Sequence, residues 1–428
     1  MTRFLAALAL FTLTTGMAAA PGDGDWPRWR GEKFDNISSE KGLLDSWPEG
    51  GPKLAWTGKN IGAGMSSVVV SGDHIYTMGK KGGKVSIIAL RRADGTEAWA
   101  AEVSRGDDPN CTPTVDPEAG LVFGLSKEGD FACVDAKTGE VKWRKSFPKD
   151  FGGKMHSGWG YSESPLVDGA NVIVTPGAKD AQIVALNKKT GDTVWKSALP
   201  DKLGNKGGDG AAYSSIVPAT IAGVKQYVQL VGKGCIGVDA KTGKFLWGYN
   251  KVANGTANVP TPVVSGDFVF TTSGYGDGGS ALLKITKRGA AFEAGEVYYK
   301  RDNELQNHHG GVIMQGNYIY GGHGHNKGIP FCLEWKTGKI MWMEKTGEIE
   351  GRQSAAVTLA DGHLYFRYQD GTVTLVEATP KGYKENGSFK IKRKGESWPH
   401  PVVAGGKLYL RNQDELLCYD VKKPGGTN

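Results

Sequence analysis

One ten-residue phrase returns along the chain as VDAKTGEVKW (134–143), LNKKTGDTVW (186–195), VDAKTGKFLW (238–247) and LEWKTGKIMW (333–342). A looser copy, RRADGTEAW, ends at Trp99, and two units keep only an aromatic, in GEVYYK at Tyr299 and GSFKIK at Phe389. PKLAW places one more anchor, Trp56, ahead of the first full unit. The anchors at 56, 99, 143, 195, 247, 299, 342 and 389 are spaced 43 to 52 residues apart. A unit of that length cannot bury its apolar face alone. The period therefore restricts the fold to a solenoid or a propeller.

The stretches between anchors select the propeller. VVSGDHIYTM (69–78), LVDGANVIVT (166–175), VVSGDFVFTT (263–272), VIMQGNYIYG (312–321) and VVAGGKLYLR (402–411) each read as two alternating strands about a turn containing Gly. A third strand follows, as in IVAL, and the Thr-Gly turn leads into a fourth that ends at the tryptophan. Four strands per unit make a propeller blade. Seven blades end at Trp99 through Phe389. The eighth, from Pro401 to Val421, has three strands, and Leu54-Ala55-Trp56 is expected to complete it. The fold class is thus all-β, an eight-bladed propeller of antiparallel four-stranded blades, its last blade closed by the N-terminal strand.

These motifs resemble the pyrroloquinoline quinone (PQQ) repeat propellers, whose units carry the A-x-D-x-x-T-G-x-x-x-W-like pattern quoted above. The resemblance covers residues 53–421 and implies that the tryptophans dock between neighbouring blades. The family includes alcohol and sugar dehydrogenases that bind PQQ with calcium, and the scaffold subunit of the outer-membrane protein assembly machinery, which binds partners. This chain has no adjacent cysteine pair, no haem-binding C-x-x-C-H and no long inserts, so the dehydrogenase marks are missing. The lipid-anchoring cysteine of the scaffold subunit is missing too. The expected role is binding of a small anionic ligand or an exported protein partner through the loop-rich channel face. A PQQ-dependent periplasmic alcohol or sugar dehydrogenase is the alternative.

Residues 1–20, MTRFLAALALFTLTTGMAAA, have the layout of a cleavable secretory signal. No segment is long and apolar enough to span a bilayer. A periplasmic or secreted monomer is expected, with residues 21–52 packed on the side of the propeller and 422–428 as a tail. The net charge of +7 is dispersed along the chain, which argues against a nucleic-acid partner. Five cysteines cannot all pair within the chain. Cys133, Cys332 and Cys418 share a repeat column with Ala185, which marks a small buried strand position rather than a disulfide framework.

In a propeller blade, the loop entering the first strand and the turn after the second open on one face. The entry loops here are Gly-rich and carry Trp159, Tyr161, Glu163, Asp209, Tyr213, Asn258, His308, Arg352 and His400. These are the candidate ligand- or cofactor-binding residues, with Glu163 or Asp209 near calcium on the quinone alternative. The turns hold Lys80, Lys81, Lys127, Lys179, Lys233, His323, His325, Arg367 and Arg411. If these cations converge, they form a positive funnel suited to an anion.

HHGGVIMQGNYIYGGHGH (308–325) holds four of the eight histidines. A two-residue turn at Gly316-Asn317 sets Gly310 opposite His323 and His308 opposite His325. In that register His308, His323 and His325 share a face, as a candidate site for a divalent metal or for an organic ligand, and His309 points away.

The cysteine column can be checked chemically. Denatured, unreduced protein should show most of its five thiols reactive to a thiol reagent. A single free thiol, with two disulfides, would contradict the column.

Overall fold

A computed structural model of the chain describes residues 24–425; the expected signal sequence, residues 1–20, lies outside them. Eight sheets form a ring, and seven of the blades use their four strands in sequence order from the channel outward. Blade 2 is typical: Thr114–Asp116, Leu121–Leu125, Asp130–Asp135 and Val141–Ser146. Blade 8 takes Val402–Ala404, Lys407–Asn412 and Glu415–Asp420 from the C-terminus and its outer strand, Lys53–Lys59, from the N-terminus. The closure read from the sequence is therefore the one observed.

The anchors follow a rule that the Thr-Gly turn explains. The ring of Trp143 in blade 2 lies flat on Gly191, the turn glycine of blade 3, where a Cβ would come within 2.9 Å of it. Its Nε1 donates to the Lys188 carbonyl of the same turn at 3.1 Å. Gly191 has φ of +77°, so the turn and the close approach both call for glycine. The rings of Trp56, Trp99 and Trp195 likewise lie on Gly95, Gly139 and Gly243 of the following blades, although Trp99 Nε1 has no hydrogen-bond partner. In blade 8 the chain ends stand where the turn would be, and Gly51, just before the closing strand, seats Phe389.

Two anchors depart from expectation. In blade 5, Tyr299 holds the register position of the anchor, opposite Ala281. It is Tyr298 that covers Gly338 of blade 6, its hydroxyl donating to the Trp335 carbonyl at 3.0 Å. Trp247 turns back into its own blade over Gly237 and donates to Gln226 Oε1 at 2.7 Å. Seven of the eight anchors face a small residue, Ala89, Cys133, Ala185, Gly237, Ala281, Cys332 or Cys418, and the smaller ring of Phe389 faces Val373. The small column makes room for the large ring. All five cysteines are buried and free.

Of the N-terminal segment, expected on the side of the ring, residues 43–51 do pack there, the Trp47 N–H donating to the Asn386 carbonyl of the outer strand of blade 7. Residues 26–38 run instead along the innermost strands. Trp26 exchanges two backbone hydrogen bonds with Val70 of blade 1, and Val115 of blade 2 donates to the Pro27 carbonyl. Arg30 reaches the Val312 carbonyl of blade 6 at 3.0 Å. Ile37–Ser38 then pairs in parallel with blade 7, beside its innermost strand, Ala355–Ala360. Each partner is a first strand, whose free edge faces the channel. The segment satisfies these edges and plugs the channel, burying Trp26 against Ile61, Val68 and Val70.

The docked tryptophans should dominate stability. Trp143→Ala removes a large ring from a blade interface and should cost about 3–5 kcal/mol. Trp159→Ala, at a side chain 47% exposed, should cost less than about 0.5 kcal/mol. Urea midpoints of the two variants test the difference; similar midpoints would contradict the docking role.

Candidate functional site

Above the plug, on the face where the entry loops open, lies a cup of about 400 Å³. Seven of the eight entry loops contribute to its wall, and Trp29 and Arg30 of the plug contribute from below. The loops are tied around the mouth by small hydroxyl residues. Ser67 N–H donates to Thr112 Oγ1 at 2.9 Å, Ser164 N–H to Ser215 Oγ at 2.9 Å, and Ser215 N–H to Thr261 Oγ1 at 3.2 Å. Ser67 Oγ donates to the His400 carbonyl at 2.7 Å, linking blades 1 and 8.

Of the candidate residues, Trp159, Tyr213, His308, His325 and His400 meet in this cup. The Tyr213 hydroxyl holds the Trp159 loop through Ser157 Oγ at 2.6 Å and the Trp159 N–H at 3.1 Å. Trp159 packs edge-on against Trp398, 5.5 Å between centroids.

The other candidates do not line it. Tyr161 is buried against Phe147, its hydroxyl donating to the Pro176 carbonyl. Asn258 is buried and braces its own loop through Asn254 and the Gly232 carbonyl. Asp209 is exposed, 3.9 Å from Lys233 Nζ. Arg352 is paired with Glu348 at 2.7 Å and Glu385 at 3.3 Å. Glu163 sits inside the wall, accepting from the Thr175 N–H and, at 3.3 Å, from Gln229 Nε2. Burial pushes its carboxyl up to about 7.

The histidine arrangement differs from the expected one. The predicted hairpin register holds from Val312 opposite Gly321 to Gln315 opposite Tyr318. The strand starts only at Val312, however, and Gly311, with φ of +70°, turns the chain away. His308 therefore does not continue the ladder. It stacks between His309 at 4.1 Å and His325 at 4.4 Å, with Tyr275 4.8 Å from both His308 and His325. Its Nδ1 is 2.6 Å from Ser354 Oγ. His323 lies in a second cavity with Asp302 and Glu350, which His325 also borders but His308 does not, and its Nδ1 accepts the Gln306 N–H at 3.2 Å. Among the described residues no group of three or more His, Cys, Asp or Glu side chains is arranged to hold a metal ion. The triad of His308, His323 and His325 is not assembled.

The expected cationic funnel does not form either. Lys80, Lys179 and Lys233 pair with Asp108, Asp201 and Asp209. Lys81 pairs with Glu97. Arg367 and Arg411 are buried in the wall of the ring, donating to the Pro399 and Gly62 carbonyls. Lys127 reaches only to the Trp159 ring.

The residues missed by the sequence reading are Trp29, Arg30, His309, Tyr275, Gln369 and Trp398. His309 Nε2, Trp398 Nε1 and Gln369 Oε1 are buried with no hydrogen-bond partner, and such atoms call for polar groups on whatever fills the cup. No lining residue is Asp or Glu. Calcium takes six to eight oxygen ligands, carboxylates prominent among them. The cup therefore does not fit a calcium-bound quinone.

Burial holds the imidazoles low. His308 falls to about 2, with His309 and His325 adding to the effect. His309 and His400 fall to about 3, the latter helped by Arg30. A histidine kept neutral in the fold contributes stability above its unfolded value of about 6.5, and that stability is lost as pH falls toward the folded value. The protein should therefore weaken between about pH 6.5 and 4. His309→Gln should remove one proton's share of the slope, about 1.4 kcal/mol per pH unit. Urea denaturation across that range measures it, and an unchanged slope would contradict a neutral His309.

The family model described as outer membrane protein assembly factor BamB matches residues 83–344. No curated protein sequence matches the chain. Among solved structures, BamB from Moraxella catarrhalis is similar, with a TM-score of 0.60 at 15% identity over 85% of this chain and 95% of that one. Quinohemoprotein alcohol dehydrogenase from Comamonas testosteroni aligns with a TM-score of 0.63 at 11% identity over 95% of this chain and 82% of that one. The computationally designed Ika8 protein aligns with a TM-score of 0.61 at 11% identity, over 87% of this chain and all of that one. At such identities the structures show the shared fold alone. The family model, matching more than half of the 428 residues, shows that the chain belongs to the BamB family of PQQ-repeat propellers.

Proposed function

We propose that this propeller binds a small organic molecule in the cup at its channel mouth, as an exported, periplasmic or secreted monomer. The observation that carries the reading is the plug. A channel closed from below by Trp29 and Arg30, and walled by aromatic and imidazole rings, is a concave pocket with a few convergent polar atoms. A flat protein-docking surface needs neither the depth nor the unpartnered polar atoms. Membership of a family described by outer-membrane protein assembly supports a protein partner as the second reading, with the outer loop rims as its contact. The dehydrogenase alternative lacks carboxylates at the cup for calcium.

Equilibrium dialysis of the purified chain against a metabolite mixture, read by mass spectrometry, tests the proposal. The wild type should retain one or a few small molecules. Ala257→Trp, which fills the cup from the wall, should retain none while melting within a few degrees of wild type. Retention that is absent, or indifferent to Ala257→Trp, would refute it. Added PQQ and calcium should produce no dye-linked alcohol oxidation.

A further inference from the structure

Resting on the reading of the cup as a small-ligand site, we propose that Arg30 anchors the ligand's negative charge, and that the ligand is an organic carboxylate with a flat apolar body. Arg30 comes from the plug and not from a blade. It lines the cup and is 2% exposed.

Its hydrogen bonds are all to uncharged acceptors. Nε donates to the Phe34 carbonyl at 3.0 Å, and Nη2 to the Val312 carbonyl at 3.0 Å and the Asp35 carbonyl at 3.5 Å. Among the described residues, none of the ion pairs includes Arg30. The Asp35 carboxylate, whose charge it feels, is turned to the Ile37 N–H at 3.0 Å. A buried cation without a hydrogen-bonded counter-charge is costly.

The remaining Nη1 edge is the open one. Beside it stands Gly311, where a Cβ would lie 3.5 Å from Nη1 and 3.4 Å from His400 Cε1. With φ of +70° this position favours glycine, so the space in front of the guanidinium is kept clear. Trp398 Nε1, a donor with no acceptor role, is buried without a partner in the same wall. With no Asp or Glu in the lining, nothing there repels an anion. A carboxylate matches the planar donor edge of arginine, and Tyr213, Tyr275, Trp159 and Pro260 leave an apolar berth for its body.

The test pairs an acid with its uncharged isostere. Ligand-observed saturation-transfer NMR on the full chain compares 1-naphthoate with 1-naphthamide. The acid should bind at least about tenfold more tightly, as expected for a hydrogen bond to a charged group. Arg30→Gln should abolish that preference by weakening the acid far more than the amide, and Arg30→Lys should restore part of it. If Arg30→Gln fails to fold, Arg30→Lys serves instead, and should narrow the preference for the acid. Equal binding of acid and amide to wild type, or a preference that survives Arg30→Gln, would overturn the anchor and leave the cup reading standing. Binding of neither probe would overturn both.

Discussion

An aromatic ring laid on a glycine joins six of the eight pairs of neighbouring blades, four of them through an indole. Each indole contact joins the outer strand of one blade to the Thr-Gly turn of the next, so it acts around the circle and not within a sheet. The backbone must approach within van der Waals distance of the ring face, which is why a side chain at Gly139, Gly191 or Gly243 would collide. The ring edge needs space behind it, and this the alanine, cysteine and glycine opposite provide. The buried thiols are thus a packing solution. Where no turn glycine meets the ring, the anchor still keeps a polar partner. Trp342 donates to the Thr379 carbonyl of blade 7 at 2.7 Å.

The same circular arrangement brings the entry loops together. Eight first strands around an axis leave eight unpaired edges and a hole. The N-terminal segment meets several of those edges in turn and converts the hole into a floor. Short hydroxyl side chains then lock each loop to its neighbour, so the wall of the cup rests on rigid elements. The polar groups facing it are uncharged in the main. Its one permanent cation enters from below with the plug.

The fold was legible because its determinants are local and repeated. Phrases such as VDAKTGEVKW carry turn, strand and anchor together, and the closing role of Trp56 followed from counting. The site was legible only where an aromatic or histidine stood in an entry loop, as at Trp159, Tyr213 and His400. Trp29 and Arg30 lie in a segment with no repeat counterpart, so no register placed them. The metal triad failed for a definite reason: the pairing pattern was extended past Val312, where a left-handed glycine ends it. Glu163 and Asn258 looked functional because they are polar in a loop. Burial makes them braces of the wall.

The plug also orders events during folding. Arg30 meets Val312 across 282 positions of chain, and Ser38 Oγ donates to the Val403 carbonyl across 365. Contacts of such separation form late, because the entropy of closing the intervening loop must be overcome first. The individual blades, built from neighbouring strands, face no such delay. Residues 24–59, synthesised before any blade is complete, must therefore wait for the last blade before they can seat. Until then the channel stays open and the edge of blade 8 unpaired, so the half-closed ring is the species most exposed to mispairing with other chains.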